Sequence, residues 1–97
     1  MYARITNLTV YPERLDEMVG RMEEVQGQVA QIPGLLYWFT TSNRETGEGV
    51  GIAIYDSEES AAAAAGTARE LLASFGEYFL KPPEVIEQGV DGFVTNA

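Results

Sequence analysis

The sequence predicts an α+β fold in which four strands and two helices follow one another in the order β-α-β-β-α-β. Two segments carry apolar residues at spacings of three and four, which is typical of amphipathic helices. Four other segments are rich in β-branched and aromatic residues and are bounded by proline or glycine. With 97 residues, the chain has the length of a single domain, residues 1–97. This order predicts a ferredoxin-like, four-stranded antiparallel sheet with both helices on one side.

The first strand is predicted over Tyr2–Tyr11, where β-branched residues recur and neither alternating set is purely polar. Pro12 ends the strand and suits the first turn of a helix. The apolar stripe that follows predicts a helix of about twenty residues. Pro33 and Gly34 end this helix.

The middle of the chain predicts a β-hairpin. Its strands are Leu35–Thr41 and Val50–Tyr55, and its turn is the Gly47–Gly49 segment. One face of the second strand carries bulky side chains, whereas the other is nearly bare from Gly49 to Ala53. This bare strip is either a close packing contact or the floor of a cavity.

The second helix is predicted to begin at Asp56 or Ser57, because both residues are good N-caps and acidic residues follow them. Gly66 lies within the helical pattern, so a bend or break is expected there. The Lys81-Pro82-Pro83 segment ends this part of the chain. A last strand, with a bulge or bend at its glycines, is expected over Val85–Val94.

Two helices can cover only one face of a four-stranded sheet. Both faces of at least three predicted strands nevertheless carry large apolar side chains. A bare apolar sheet face promotes association, so a second copy of the chain is the simplest cover. The sequence therefore predicts a homodimer that pairs sheet to sheet, and Trp38 is assigned to the core or to this interface.

The composition excludes several classes of function. The formal net charge is −9, which disfavours nucleic acids and anionic membranes as partners. The sequence has no cysteine for thiol chemistry and no histidine to act as a general base. No spacing of residues suggests a metal site, and no segment suggests a membrane span or a signal peptide. A cytoplasmic protein is expected.

Several junctions resemble one known family. They are Met1–Ile5, Val10–Glu17, Ile32–Leu35, Asn43–Gly49 and Ile54–Glu59. Over nearly its whole length the chain resembles the antibiotic biosynthesis monooxygenase-like domain of the dimeric α+β barrel superfamily. The resemblance implies a dimeric barrel with a ligand held between the sheet and the helices of each subunit.

The resemblance also implies a function: a cofactor-independent monooxygenase that acts on a phenolic or quinol-like aromatic. Several enzymes of this kind use an Asn on the first strand, and Asn7 matches that position. Arg4 and Arg69 would favour an anion if they turned inward, although Arg4 suits an interfacial ion pair better. The expected substrate-binding residues are Tyr37, Phe39, Tyr55, Phe75 and Tyr78.

Haem degradation, a second activity of the family, is disfavoured, and one alternative function remains. Haem-degrading members of the family need a histidine on the second helical segment, and the sequence contains none. The remaining alternative is a non-catalytic homodimer that binds a small apolar ligand or no small molecule at all. An enclosed space with Asn7 and a tyrosine hydroxyl directed into it would favour the enzyme.

Overall fold

The structure is a computed structural model that describes residues 1–96. Its main elements are β1 (Tyr2–Thr9), α1 (Leu15–Ala30), β2 (Leu35–Ser42), β3 (Glu48–Tyr55), α2 (Glu58–Ser74) and β4 (Glu84–Gly89). Short 3₁₀ turns precede α1 at Pro12–Arg14 and follow α2 at Gly76–Tyr78. The predicted order β-α-β-β-α-β and the α+β class are therefore confirmed.

The four strands form one antiparallel sheet in the order β2-β3-β1-β4. The register places Ile5 of β1 opposite both Ile52 of β3 and Ile86 of β4. Phe39 of β2 lies opposite Ile52 on the far side of β3. These four side chains form a row on the sheet face turned away from the helices, which we call the outer face.

The helices differ from the sequence prediction in two ways. The first turn is 3₁₀ rather than α, so α1 has 16 residues. The predicted break at Gly66 is wrong, because α2 runs without interruption through it from Glu58 to Ser74. A glycine costs a helix only about 1 kcal/mol, and the surrounding alanines and leucines favour the helical state. Ser57 is the N-cap, and its hydroxyl accepts a hydrogen bond from the Ser60 backbone N–H at 3.1 Å.

The strands also differ in detail from the prediction. β4 ends at Gly89 rather than at Val94 and pairs with β1 without a register shift. The irregularity lies instead in β2, between Leu35 and Tyr37. Because a bulge reverses the alternation of side chains, Leu35 faces the helices whereas Tyr37 lies on the outer face.

Most of the buried hydrophobic residues belong to two small clusters. Val10, Leu15, Met18, Phe75 and Tyr78 form the first cluster. The second consists of Tyr55, Ala61 and Ala64, with Ile32 and Leu35 packed against it. Within residues 1–96, no helix is long and apolar enough to cross a membrane.

Replacing Gly47 by alanine should lower the free energy of unfolding by about 2–4 kcal/mol. Gly47 has a φ of +78°, and a Cβ there would overlap the carbonyl oxygen of Val10. That overlap would also disturb the hydrogen bond from the Val10 N–H to the Gly47 carbonyl, which measures 2.8 Å. Urea denaturation monitored by circular dichroism measures the change.

The matched control is Gly27→Ala within α1. No atom lies within 4 Å of the position that a Cβ would take at Gly27, so alanine should raise stability by about 0.5–1 kcal/mol through its better helix propensity. Equal effects of the two substitutions would contradict the strain assigned to Gly47.

Candidate functional site

A cavity of about 590 Å³ lies between the helices and the sheet face opposite the outer face. Its volume falls within the range of small-molecule sites. The sheet contributes Thr6, Trp38, Thr40, Gly51, Ala53 and Tyr55 to the lining. The helices and the turn after α2 contribute Met18, Met22, Val25, Ala65, Leu72 and Phe75. The walls are thus mainly apolar, and both helices lie on the same side of the sheet.

Small residues keep this space open. A Cβ added to Gly51 would come no closer than 3.8 Å to any neighbouring atom, and Ala53 adds only a methyl group beside it. Ala65 faces the same space from α2. Both alternatives left open by the bare strip of β3 are found. Gly51, Ala53 and Tyr55 form part of the cavity floor, whereas Gly49 is a close packing contact, because a Cβ there would lie 2.6 Å from the Thr41 carbonyl oxygen.

The polar end of the cavity is built around Arg4, whose residue surface is only 7% exposed. Its Nε donates to Glu87 Oε1 at 3.0 Å, and its Nη1 donates to the Tyr55 hydroxyl oxygen at 2.9 Å. Its Nη2 donates to the carbonyl oxygen of Ala61 on α2 at 2.8 Å. Each terminal nitrogen of the guanidinium therefore has a partner, and the charge is held at a fixed place beside the cavity.

The predicted ion pair of Arg4 exists within one chain rather than across an interface. Its partner Glu87 lies on β4, and the two residues are register partners in the β1–β4 ladder. The side chain of Glu87 is 43% exposed, so solvent weakens the pair. Burial of Arg4 is supported further by its hydrogen bonds to the Tyr55 hydroxyl and to the Ala61 carbonyl.

The charges of the cavity lining differ from those of the chain as a whole. Arg4, Arg69 and Glu87 are its charged residues. Arg69 is exposed, and no ion pair joins it to another of the described residues. The cavity lining therefore contains two of the six basic residues and only one acidic residue, although the chain as a whole has a net charge of −9. This local excess of positive charge favours an anionic or electron-rich ligand.

Of the predicted aromatic site residues, the structure brings only Tyr55 and Phe75 to the cavity. Tyr78 belongs to the first core cluster, with the Arg14 guanidinium 4.5 Å from its ring centroid. Tyr37 and Phe39 lie on the outer face and are 45% and 48% exposed. The alternation along β2 accounts for both, because Trp38 between them faces inward.

Asn7 also lies away from this cavity. Its neighbours Thr6 and Leu8 line the cavity, so alternation along β1 directs Asn7 to the outer face. There it borders a separate depression of about 440 Å³, together with Lys81 and Glu84. The expectation that Asn7 and a tyrosine hydroxyl share one enclosed space is therefore not met.

Two residues of the cavity have places other than those predicted from the sequence. Trp38, expected in the core or the dimer interface, lines the cavity opposite Ala53 in the β2–β3 ladder. Arg4, expected at an interface, forms the polar end. The bare strip of β3 is the sequence feature that could have located Trp38 and Arg4. Both residues are register partners of Ala53 and therefore lie on the same face of the sheet as the strip.

No family model matches the sequence, and no curated protein matches it either. Solved structures do match. One is described as an antibiotic biosynthesis monooxygenase and shares 16% identity, with a TM-score of 0.77 over 95% of this chain and 100% of that one. A second is a monooxygenase from the gene ActVA-Orf6 of Streptomyces coelicolor, solved in complex with nanaomycin D. It shares 17% identity, with a TM-score of 0.77 over 99% of this chain and 92% of that one.

A third similar structure is a protein of unknown function from Nitrosomonas europaea. It shares 16% identity, with a TM-score of 0.79 over 99% of this chain and 94% of that one. These similarities establish the fold, which is that of structures described as antibiotic biosynthesis monooxygenases. Among residues 1–96, no group of three or more His, Cys, Asp or Glu side chains is arranged to hold a metal ion.

Proposed function

We propose that this chain is a small monooxygenase that oxidises a phenolic or quinol-like aromatic compound without a cofactor. The observation that carries the proposal is the cavity of about 590 Å³, whose apolar walls end at Arg4 and Tyr55. Apolar walls suit fused aromatic rings, and the polar end suits the ring oxygen. The nanaomycin D complex of the Streptomyces coelicolor monooxygenase lends support, since that enzyme shares the fold.

The proposed reaction needs no redox group from the protein, because the substrate anion itself passes an electron to molecular oxygen. With anthrone, the methylene group would become a carbonyl, with one oxygen atom in the product and the other in water. The protein must bind the ring system, favour its anion and exclude water. The positive charges of Arg4 and Arg69 and the hydroxyl of Tyr55 are suited to stabilising that anion.

Oxygen uptake with anthrone tests the proposal directly. The native protein should consume one oxygen molecule for each anthrone oxidised, and Tyr55→Phe should slow turnover by about 10–100-fold because a donor to the anion is lost. A polarographic electrode measures uptake, and absorbance follows anthraquinone. Tyr11→Phe removes the same hydroxyl group from a tyrosine outside the cavity lining and should leave the rate unchanged.

Asn7→Ala in the same assay tests the role predicted for Asn7. Because Asn7 lies on the outer face, we expect the rate of the native protein. A loss as large as that of Tyr55→Phe would contradict a site confined to the cavity. Absence of uptake above the buffer rate, with every hydroquinone and anthrone tried, would overturn the proposed activity.

The second candidate is a non-catalytic protein that binds an apolar ligand in the same cavity. It is favoured by one observation: the single carboxylate of the lining, Glu87, is paired with Arg4, and the chain has no histidine. No group of the lining is therefore suited to act as a general base. Saturable binding of anthrone without oxygen uptake would support this candidate over the enzyme.

We further propose that the protein is a homodimer joined through the outer faces of its sheets, acting in the cytoplasm. The large side chains of that face are substantially exposed: Tyr37 by 45%, Phe39 by 48% and Ile86 by 43%. Together with Ile5 and Ile52 they form an apolar surface that a second copy would cover. In such a dimer the cavity of each chain would lie on the opposite side of its sheet from the interface.

A further inference from the structure

The hydroxyl oxygen of Tyr55 already accepts one hydrogen bond within the chain. It accepts this bond from Arg4 Nη1 at 2.9 Å. A phenolic hydroxyl both donates and accepts, so its hydrogen remains to be donated. Among residues 1–96, no acceptor forms a hydrogen bond with that hydrogen, although Tyr55 is only 2% exposed.

The other hydrogen bonds of Arg4 keep its guanidinium in place beside Tyr55. Its other two hydrogen bonds run to Glu87 on β4 and to the Ala61 carbonyl on α2, so three different elements hold the guanidinium. Arg4 has no acceptor atom, so it can only donate to Tyr55. The hydroxyl oxygen is thereby kept as an acceptor towards Arg4, and its hydrogen is left for the cavity that Tyr55 lines.

We infer that the ligand of the cavity must present a hydrogen-bond acceptor, a carbonyl or phenolate oxygen, to the Tyr55 hydroxyl. Arg4 acts as a positioning residue that imposes this polarity. The inferred feature of the ligand is this acceptor oxygen, so an aromatic that can only donate is disfavoured. This inference rests on the proposed function only in taking the cavity as the ligand site.

The expected preference for ligands with an acceptor follows from the free-energy cost of leaving the Tyr55 hydroxyl without a hydrogen-bond acceptor. A ligand without an acceptor would cover the Tyr55 hydroxyl and leave its hydrogen without a partner, whereas an acceptor restores the bond lost to water. A site built around such a bond discriminates against analogues that lack the matching group. We expect one well-placed acceptor to tighten binding by about tenfold.

Three flat tricyclic probes of similar size separate the possibilities. Fluorenone has a carbonyl acceptor, fluorene has no polar group, and carbazole has only an N–H donor. Trp38 is the only tryptophan of the chain and lines the cavity, so quenching of its fluorescence reports binding of each probe. Fluorenone should bind about tenfold more tightly than fluorene, and carbazole no more tightly than fluorene.

Tyr55→Phe should remove the preference for fluorenone while leaving the affinity for fluorene unchanged, and Tyr11→Phe should leave both values as in the native protein. In Arg4→Met the Tyr55 hydroxyl is free to accept, so carbazole should gain affinity relative to fluorene. That gain should vanish in the double variant Arg4→Met/Tyr55→Phe. A purely structural role of Arg4 would weaken all three probes equally.

Equal affinities for fluorenone and fluorene in the native protein would overturn the inference, as would a fluorenone preference that survives in Tyr55→Phe. A carbazole affinity above that of fluorenone would overturn it too. These titrations involve no turnover, so they can succeed where the oxygen-uptake assay fails. In that case the inference stands and the proposed oxidation does not.

Discussion

Replacing Gly51 by phenylalanine should weaken binding of anthrone and fluorenone by about 100-fold, which corresponds to about 2.7 kcal/mol. Gly51 lies on the cavity floor, and a Cβ added there would have no atom closer than 3.8 Å in front of it. A phenyl ring would therefore occupy the volume that the ligand needs without displacing the backbone. The free energy of unfolding should stay the same or rise, because apolar surface is buried in an existing space. Quenching of Trp38 fluorescence measures affinity, and urea denaturation measures stability.

Gly66→Phe on α2 is the matched control for this substitution. Gly66 is exposed, has open space around its Cα and does not line the cavity. The same ring added there should leave the affinity unchanged. Undiminished binding by a stably folded Gly51→Phe variant would place the ligand elsewhere on the protein.

Replacing Ile52 by lysine should convert the proposed dimer into a monomer of 10.6 kDa, whereas the native protein should sediment at twice that mass. Ile52 lies between Phe39 and Ile5 in the central row of the outer face. Burying an ammonium group against the same face of a second copy would leave two charges without partners at the centre of the interface. Sedimentation equilibrium at micromolar concentration measures the mass.

Gln26→Lys on α1 controls for the added charge. Gln26 is exposed on a helix, so this variant changes the net charge equally and should remain a dimer. A native protein that sediments as a monomer would contradict the covering of the outer face. So would an Ile52→Lys variant that stays dimeric.

The order of elements can be predicted from the sequence because each element carries a local pattern. The helical stripe before Pro33 and the β-branched runs around Leu35 and Tyr55 depend only on neighbouring residues. The face of each strand cannot be predicted in this way. Both alternating sets of β1 and β2 contain apolar residues, so the pattern does not decide on which side of the sheet Asn7 and Tyr37 lie. The resemblance suggested Asn7 as a site residue, whereas the structure places both residues on the outer face.

The polar end of the cavity depends on contacts between distant parts of the chain. Arg4 and Glu87 are 83 residues apart and meet only because β1 and β4 are paired in one particular register. The bulge between Leu35 and Tyr37 also depends on how β2 fits β3 and leaves no clear pattern in the sequence. The volume of the cavity has the same origin, since it depends on how far two core clusters hold the helices from Gly51 and Ala53.

The space between the helices and the sheet is proposed as the ligand site, and every other proposal about the cavity depends on it. Titration of ¹⁵N-labelled protein with anthrone, under nitrogen so that no oxidation occurs, tests it most directly. We expect shifts of the Trp38 indole N–H and of the Gly51 and Ala53 amides, because these residues line the cavity. Shifts confined to Asn7, Phe39 and other outer-face residues, with an unchanged Trp38 indole signal, would contradict it.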